Sequence, residues 1–307
     1  VLIRYGLIIA TGLTTAVASA QPLPDRMTAL VPLYIFPDVS NPANGWSRVI
    51  NATSQINVVV IANPSNGPGT SAQAAYTTAI NQLNSAGGST IGYVYTRVAP
   101  TNPTLRPIAE VKADIQNWYS FYGNLKGIFI DEVTHNAATQ NLGYYTELNQ
   151  FIRGIQANAL VIGNPGAADG TTQELLTANG SQAASALVVT ENTHDSYQNQ
   201  TPAGWTLTAP RSQIAHLIHT SPDENTMLAD VTRAAALNAG YVYVTDQNAL
   251  PGTNTFGFLP SYWDSPVASS EIAAIRNTPV PEPAGILAAV AAVGLAAAVR
   301  RRITRSV

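Results

Sequence analysis

The chain has 307 residues, no cysteine and a formal net charge of −3. Between residues 21 and 280, ten basic residues face 17 acidic ones, a net of −7 without any basic run, which argues against nucleic acid as a partner. The absence of cysteine excludes a disulfide framework and a thiolate metal site.

The first twenty residues read as a secretory leader. Arg4 supplies the positive start, Tyr5 to Val17 is an apolar run too short to span a bilayer, and Ala18-Ser19-Ala20 has the small-x-small form of a cleavage site. Mature sequence is expected from Gln21. Residues 21–280 then suit one large α/β domain, since a barrel of roughly 250 residues is a single unit.

Along that stretch, apolar runs alternate with helical patterns. Strands are expected at Leu30–Phe36, Ile56–Ala62, Thr90–Thr96, Gly127–Ile130, Leu160–Ile162, Ala186–Thr190, Ile214–His219 and Tyr241–Thr245. Helices are expected at Ser71–Ser85, Ile108–Tyr122, Leu142–Ala157, Thr171–Ala178, Asn225–Asn238 and about Val267–Arg276. In the second of these, Val111, Ile115 and Trp118 recur at spacings of four and three, the period of one helix face. Continuous rather than alternating apolar strands suit a parallel sheet covered on both sides. Eight such repeats predict a single-domain (β/α)8 TIM barrel, with a doubly wound open sheet as the competitor. No Gly-x-Gly-x-x-Gly follows the first strand and no phosphate loop is present, so no nucleotide cofactor is expected.

In a parallel barrel the site gathers where the strands end. Here the ends carry Tyr34 and Phe36, Asn63, Tyr95 and Arg97, the Asp131-Glu132 pair, Asn164, Glu191, His219 and Asp246. Carboxylates, amides and aromatic rings are what cleavage of a glycosidic bond requires. Asp131, Glu132 and Glu191 are the candidate catalytic acids, because each directly follows an apolar run and a buried carboxylate is costly without a partner. Tyr34, Asn63, Tyr95, Asn164, His219 and Asp246 are candidate substrate contacts. Each has a structural alternative: Asn63 and Asn164 precede prolines and suit turn starts, the tyrosines suit packing, His219 suits a hydrogen-bonded rim histidine, and Asp246 suits a turn cap. Glu132-Val-Thr-His135 and Glu191-Asn-Thr-His194 are Glu-x-x-His motifs, but both leave strands for loops, so the helical spacing of a di-metal site is missing and no metal is expected. No Gly-x-Ser-x-Gly elbow supports serine hydrolysis.

The segments VPLYIFP (31–37), VVVIANPSNGPG (58–69), TIGYVYTR (90–97), DIQNWYSFYGNLKGIFIDE (114–132), ALVVTENT (186–193) and YVYVTD (241–246) resemble the spherulin-4-like proteins. The resemblance implies a (β/α)8 glycoside hydrolase acting on α-1,4-linked galactosamine and N-acetylgalactosamine polymers, with Asp131 and Glu132 as its acidic pair and Glu191 as its third acid. After Thr96, Val98-Ala99-Pro100-Thr101 replaces the tyrosine- and glycine-rich loop common in the family, which bears on substrate choice. At the other end, Pro281-Glu282-Pro283, an apolar run over 284–299 and Arg300-Arg301-Arg302 resemble the PEP-CTERM sorting signal. That resemblance implies export in a Gram-negative bacterium to the periplasm, cell surface or matrix, transient anchoring through 284–299, and signal peptidase and exosortase as processing partners. The alternative function is a non-catalytic glycan-binding surface or matrix protein using the same groove.

Overall fold

The computed structural model describes residues 26–99, 102–136, 138–177, 182–248, 254–265 and 270–280. The leader over 1–20 and the sorting segment over 281–307 lie outside the described residues. In chain order the elements are β1 (Thr28–Leu33), α1 (Gly45–Ala52), β2 (Val58–Ala62), α2 (Ala74–Ser85), β3 (Ser89–Tyr95), β4 (Arg97–Ala99), β5 (Asn102–Leu105), α3 (Ile108–Phe121), β6 (Gly127–Asp131), α4 (Leu142–Ile155), β7 (Leu160–Gly163), α5 (Glu174–Thr177), β8 (Ala186–Thr193), α6 (His194–Asn199), β9 (Ile214–His219), α7 (Glu224–Ala236), β10 (Tyr241–Val244) and α8 (Glu271–Asn277). Eight strands close a parallel barrel in the order β1-β10-β9-β8-β7-β6-β3-β2, while β4 and β5 form a separate antiparallel hairpin. The chain is a (β/α)8 barrel, and each of the eight anticipated apolar runs supplies one of its strands.

The differences from the expected elements lie at the rim. Strand β1 stops at Leu33, so Tyr34, Ile35 and Phe36 leave the sheet as a loop. Strand β8 continues past Thr190 to Thr193. Helix α1, helix α6 and the β4–β5 hairpin were not anticipated. Helix α1 follows Asn44, whose side chain accepts from the Trp46 N–H and caps the first turn.

Two glycines show how closely the layers fit. At Gly127, a Cβ would stand 1.8 Å from the Leu160 carbonyl oxygen of neighbouring β7, so no side chain is tolerated there. At Gly92 a Cβ would stand 2.5 Å from the Trp118 ring, which lies flat against the bare strand. Trp118 also donates from Nε1 to the Tyr93 carbonyl at 2.7 Å. Fully burying an aromatic of this size contributes about 1.5–3 kcal/mol. Packing of α3 thereby locks β3 at the residue whose side chain enters the site.

Candidate active site

Asp131 ends β6, Asn164 follows β7, Glu191 lies near the end of β8 and Tyr34 follows β1. All four therefore share the C-terminal mouth of the barrel. The centre of the arrangement is the Asn164 side chain. Its Nδ2 donates to Asp131 Oδ1 at 2.8 Å and to Glu191 Oε2 at 2.7 Å. Because one nitrogen reaches both, those two oxygens lie no more than about 5.5 Å apart. Asn164 is fixed in turn, since its N–H donates to the Ile130 carbonyl and its carbonyl accepts from the Val133 N–H.

Tyr93 donates its hydroxyl to Asp131 Oδ2 at 2.7 Å, so both oxygens of Asp131 are engaged. Tyr34 packs edge-on against Tyr93 with ring centroids 5.7 Å apart. Burial and the fields of Asp131 and Glu191 push the Tyr34 phenol well above its ordinary pKa, so it stays protonated as a donor. Tyr93 is shifted the same way by burial and by Asp131.

The backbone uses two irregularities to aim the acids. Adjacent strand residues normally face opposite sides of a sheet. Asp131 and Glu132 escape this because Glu132 adopts a left-handed conformation, φ 57°. The ladder bulges there: Asn164 bonds to Ile130 and Val133, leaving two residues opposite one. The Thr96 hydroxyl, 2.9 and 3.0 Å from the carbonyl oxygens of Asp131 and Glu132, supports this turn from behind. On β8, Val188 pairs with Ala215 and Glu191 with Leu217 across a register shift. Ala215 and Leu217 share a face, so Val188 and Glu191 share one too, although they are three residues apart. The extra residue turns Glu191 inward; a regular strand would have turned it out.

The three carboxyls differ electrostatically. Burial, then the charge of Asp131, raises Glu191 to about 7, against the opposing Asn164 bond. Asp131 is raised by burial but held back by Tyr93, the Glu132 backbone, Asn164 and Arg97. Glu132 is raised by burial and by Asp131, and lowered by Arg97. Arg97 Nε stands 3.7 Å from Glu132 Oε2, and neither atom has a hydrogen-bond partner among the described residues. Glu191, raised to about 7, can hold a proton at neutral pH and serve as the acid, while Asp131, bonded by Tyr93 and Asn164, is the carboxyl placed to serve as its partner.

The remaining predicted positions make their contacts elsewhere. Asn63 accepts from the Gly67 N–H and braces its own loop. The Tyr95 ring lies under the Arg106 guanidinium, 4.0 Å from its centroid. His219 Nδ1 is 3.0 Å from the Thr220 hydroxyl. Asp246 accepts from the Ser261 N–H and from Gln247, tying the loop after β10. The two Glu-x-x-His segments diverge: His135 faces Glu174 at 3.3 Å, and His194 bonds to buried Asp230 at 2.9 Å. Among the described residues no three His, Asp or Glu side chains are grouped to hold a metal ion. Tyr93 and Thr96 were not among the residues expected at the rim, and Arg97 was placed there without a role. Strand parity was the available signal for Tyr93, which shares a face with Tyr95 at the strand tip.

A model of spherulation-specific family 4 matches residues 28–269. The chain belongs to that family. Spherulin-4 of Physarum polycephalum, a family relative, is 29% identical over 266 residues, spanning 83% of this chain and 74% of its own length. Sph3 of Aspergillus clavatus, solved in complex with GalNAc, superposes with a TM-score of 0.63 at 23% identity, covering 84% of this chain and 100% of that one. The spherulation-family match runs from the first residue of β1 to residue 269, so Tyr34, Tyr93, Asp131, Asn164 and Glu191 all lie inside it.

Proposed function

We propose that the chain is an exported glycoside hydrolase that cleaves an amino-sugar polysaccharide, with α-1,4-linked galactosamine and N-acetylgalactosamine as its units. The observation that carries this reading is the bridge from one Asn164 amide to the carboxyls of Asp131 and Glu191, of which burial raises Glu191 to about 7. A related barrel solved with GalNAc supports the substrate class.

The spacing favours a retaining reaction, for which carboxyls about 5–5.5 Å apart are typical. Glu191 gives its proton to the glycosidic oxygen as the C1–O bond breaks. Asp131 attacks C1 from the opposite face and forms a glycosyl ester. Glu191, now ionised, takes a proton from water, whose oxygen displaces Asp131 from C1. The C2 acetamide cannot replace Asp131 here, because in an α-linked galactosamine it lies on the same face as the leaving oxygen. Tyr93 and Asn164 hold Asp131 in line. Glu132, beside Arg97, turns its charge toward the bound sugar.

Around this domain we place a leader over 1–20, the catalytic barrel over 21–280 and a PEP-CTERM segment over 281–307. Signal peptidase and exosortase act on the ends, and 284–299 anchors the chain in transit.

The test is incubation of the purified protein with partially deacetylated α-1,4-galactosaminogalactan, measuring new reducing ends beside Glu191→Gln and Asp131→Asn. Release by wild type and its loss in both variants are expected. Retention of wild type on the polymer without release would replace the hydrolase by a glycan-binding protein.

A further inference from the structure

Among the described residues, five large apolar side chains stand exposed: Phe36, Val98, Ile155, Leu228 and Phe258. The two aromatic rings in that set are the most exposed, Phe36 at 63% and Phe258 at 69%. Both lie on loops that leave the C-terminal ends of neighbouring barrel strands, β1 and β10. Single exposed apolar residues are ordinary. Two aromatic rings on adjoining loops of one barrel mouth are a different matter.

The two loops are joined. The Tyr34 N–H donates to the Phe256 carbonyl at 3.2 Å, and the Tyr34 and Phe256 rings meet edge-to-face at 5.7 Å. Each exposed phenylalanine is two residues beyond this junction, so its Cα lies within roughly 7 Å of it. From the junction the rings continue inward. Tyr34 meets Tyr93 at 5.7 Å, and the Tyr93 hydroxyl is bonded to Asp131. A row of three rings, Phe256, Tyr34 and Tyr93, thus runs from this junction to the carboxyls. Phe36 is also held in place: its ring stands edge-on to buried Tyr76 at 5.9 Å, and its carbonyl accepts from the Asn44 amide at 3.1 Å.

We propose that Phe36 and Phe258 form an aromatic landing for sugar units beyond the cleavage point, so that the mouth takes a run of polysaccharide rather than a lone terminal unit. The proposal rests on the glycosidase reading above. A pyranose presents a face of C–H groups that packs on an aromatic ring while its hydroxyls stay in water. Such a face suits rings left exposed beside a polar mouth. The Tyr34–Phe256 junction, with Tyr34 packed on the Tyr93 that holds Asp131, sets both loops beside the carboxyls and identifies the occupant as the substrate chain rather than a separate partner.

The test compares a long and a short substrate in the full chain carrying Phe36→Ala, Phe258→Ala or both. On α-1,4-galactosaminogalactan, kcat/KM falls roughly tenfold per ring, each tenfold being about 1.4 kcal/mol. On an activated aryl galactosaminide, which fills only the cleavage subsite, it is unchanged, and so is Tm. Equal loss on both substrates would overturn the landing, because the rings would then be supporting the mouth itself. So would full polymer activity in the double variant. So would a wild-type dimer in light scattering that the double variant splits while polymer activity is kept; the rings would then join two copies of the chain. Polymer binding is measured separately in a Glu191→Gln background. Binding there that the ring variants abolish, with no turnover by wild type, would sink the hydrolase reading and keep the landing. No binding and no turnover by wild type would sink both.

Discussion

Replacing Asn164 by alanine tests the arrangement of the acids directly. The backbone bonds of Asn164 to Ile130 and Val133 survive the change, so the β6–β7 junction is retained. Both side-chain donations are lost, as is acceptance from the Gly166 N–H. A hydrogen bond to a charged group contributes about 1.5–3 kcal/mol. The bond to Asp131 supports the ionised form the reaction uses, so its loss lowers kcat/KM by roughly 10- to 150-fold at about 1.4 kcal/mol per decade. The bond to Glu191 works the other way, because it favours the charged form of a group that must be protonated to act. Without it Glu191 rises above its value of about 7, and the alkaline limb of the pH profile moves to higher pH. Asp131 loses a donor as well, so the acidic limb rises with it. The assay is kcat/KM on galactosaminogalactan from pH 4 to 10, with Tm as the control for folding. A wild-type rate, or an alkaline limb that stays put or falls, would refute the bridge as the organiser of the two acids.

Glu191→Gln stabilises the fold at pH 8 and does little at pH 4. The folded pKa of Glu191 lies above its unfolded value, so the wild-type chain loses stability as pH rises from about 4.5 through 7, up to about 3 kcal/mol in all, readable as a Tm difference that opens over that window. Glu132→Gly relieves the left-handed backbone at φ 57° and raises stability by about 1 kcal/mol in urea unfolding, while activity on the polymer is lost. Gly127→Ala forces a methyl to within 1.8 Å of the Leu160 carbonyl and costs several kcal/mol, seen as a large fall in Tm or as insoluble protein. Mass spectrometry of the exported protein finds Gln21 at its N-terminus; an intact leader would refute the cleavage site.

The strands were legible because each is an apolar run ended by a polar residue or a turn signal, and burial on both faces of a parallel sheet demands such runs. The β4–β5 hairpin was not, because Asn102-Pro-Thr-Leu105 has no apolar alternation and its strands pair only with each other. The site was legible in its residue types and less so in its membership. Asn63 and Asn164 are both asparagines before proline at strand ends, yet one braces its own loop and the other joins two acids. Nothing local distinguishes them. What does is the neighbour on each side: Asn164 stands between β6 and β8, the two strands that carry acids.

The aim of the acids depends on a different kind of information. A strict period of two would send Asp131 and Glu132 to opposite faces and turn Glu191 outward with Val189. Both faults are corrected by an inserted residue, at Glu132 just beyond β6 and in the register shift before Glu191 on β8. Each insertion is held by distant groups: Thr96 from β3's tip behind Glu132, and the Gly166 carbonyl that accepts the Glu191 N–H. A bulge of this kind gives up ladder bonding and, at Glu132, accepts an unfavourable backbone. The core gains nothing visible from either departure, whereas both bring a charged side chain into one mouth. Two independent irregularities on strands separated by β7, converging on the same asparagine, are more readily explained by selection for the chemistry at that point than by packing.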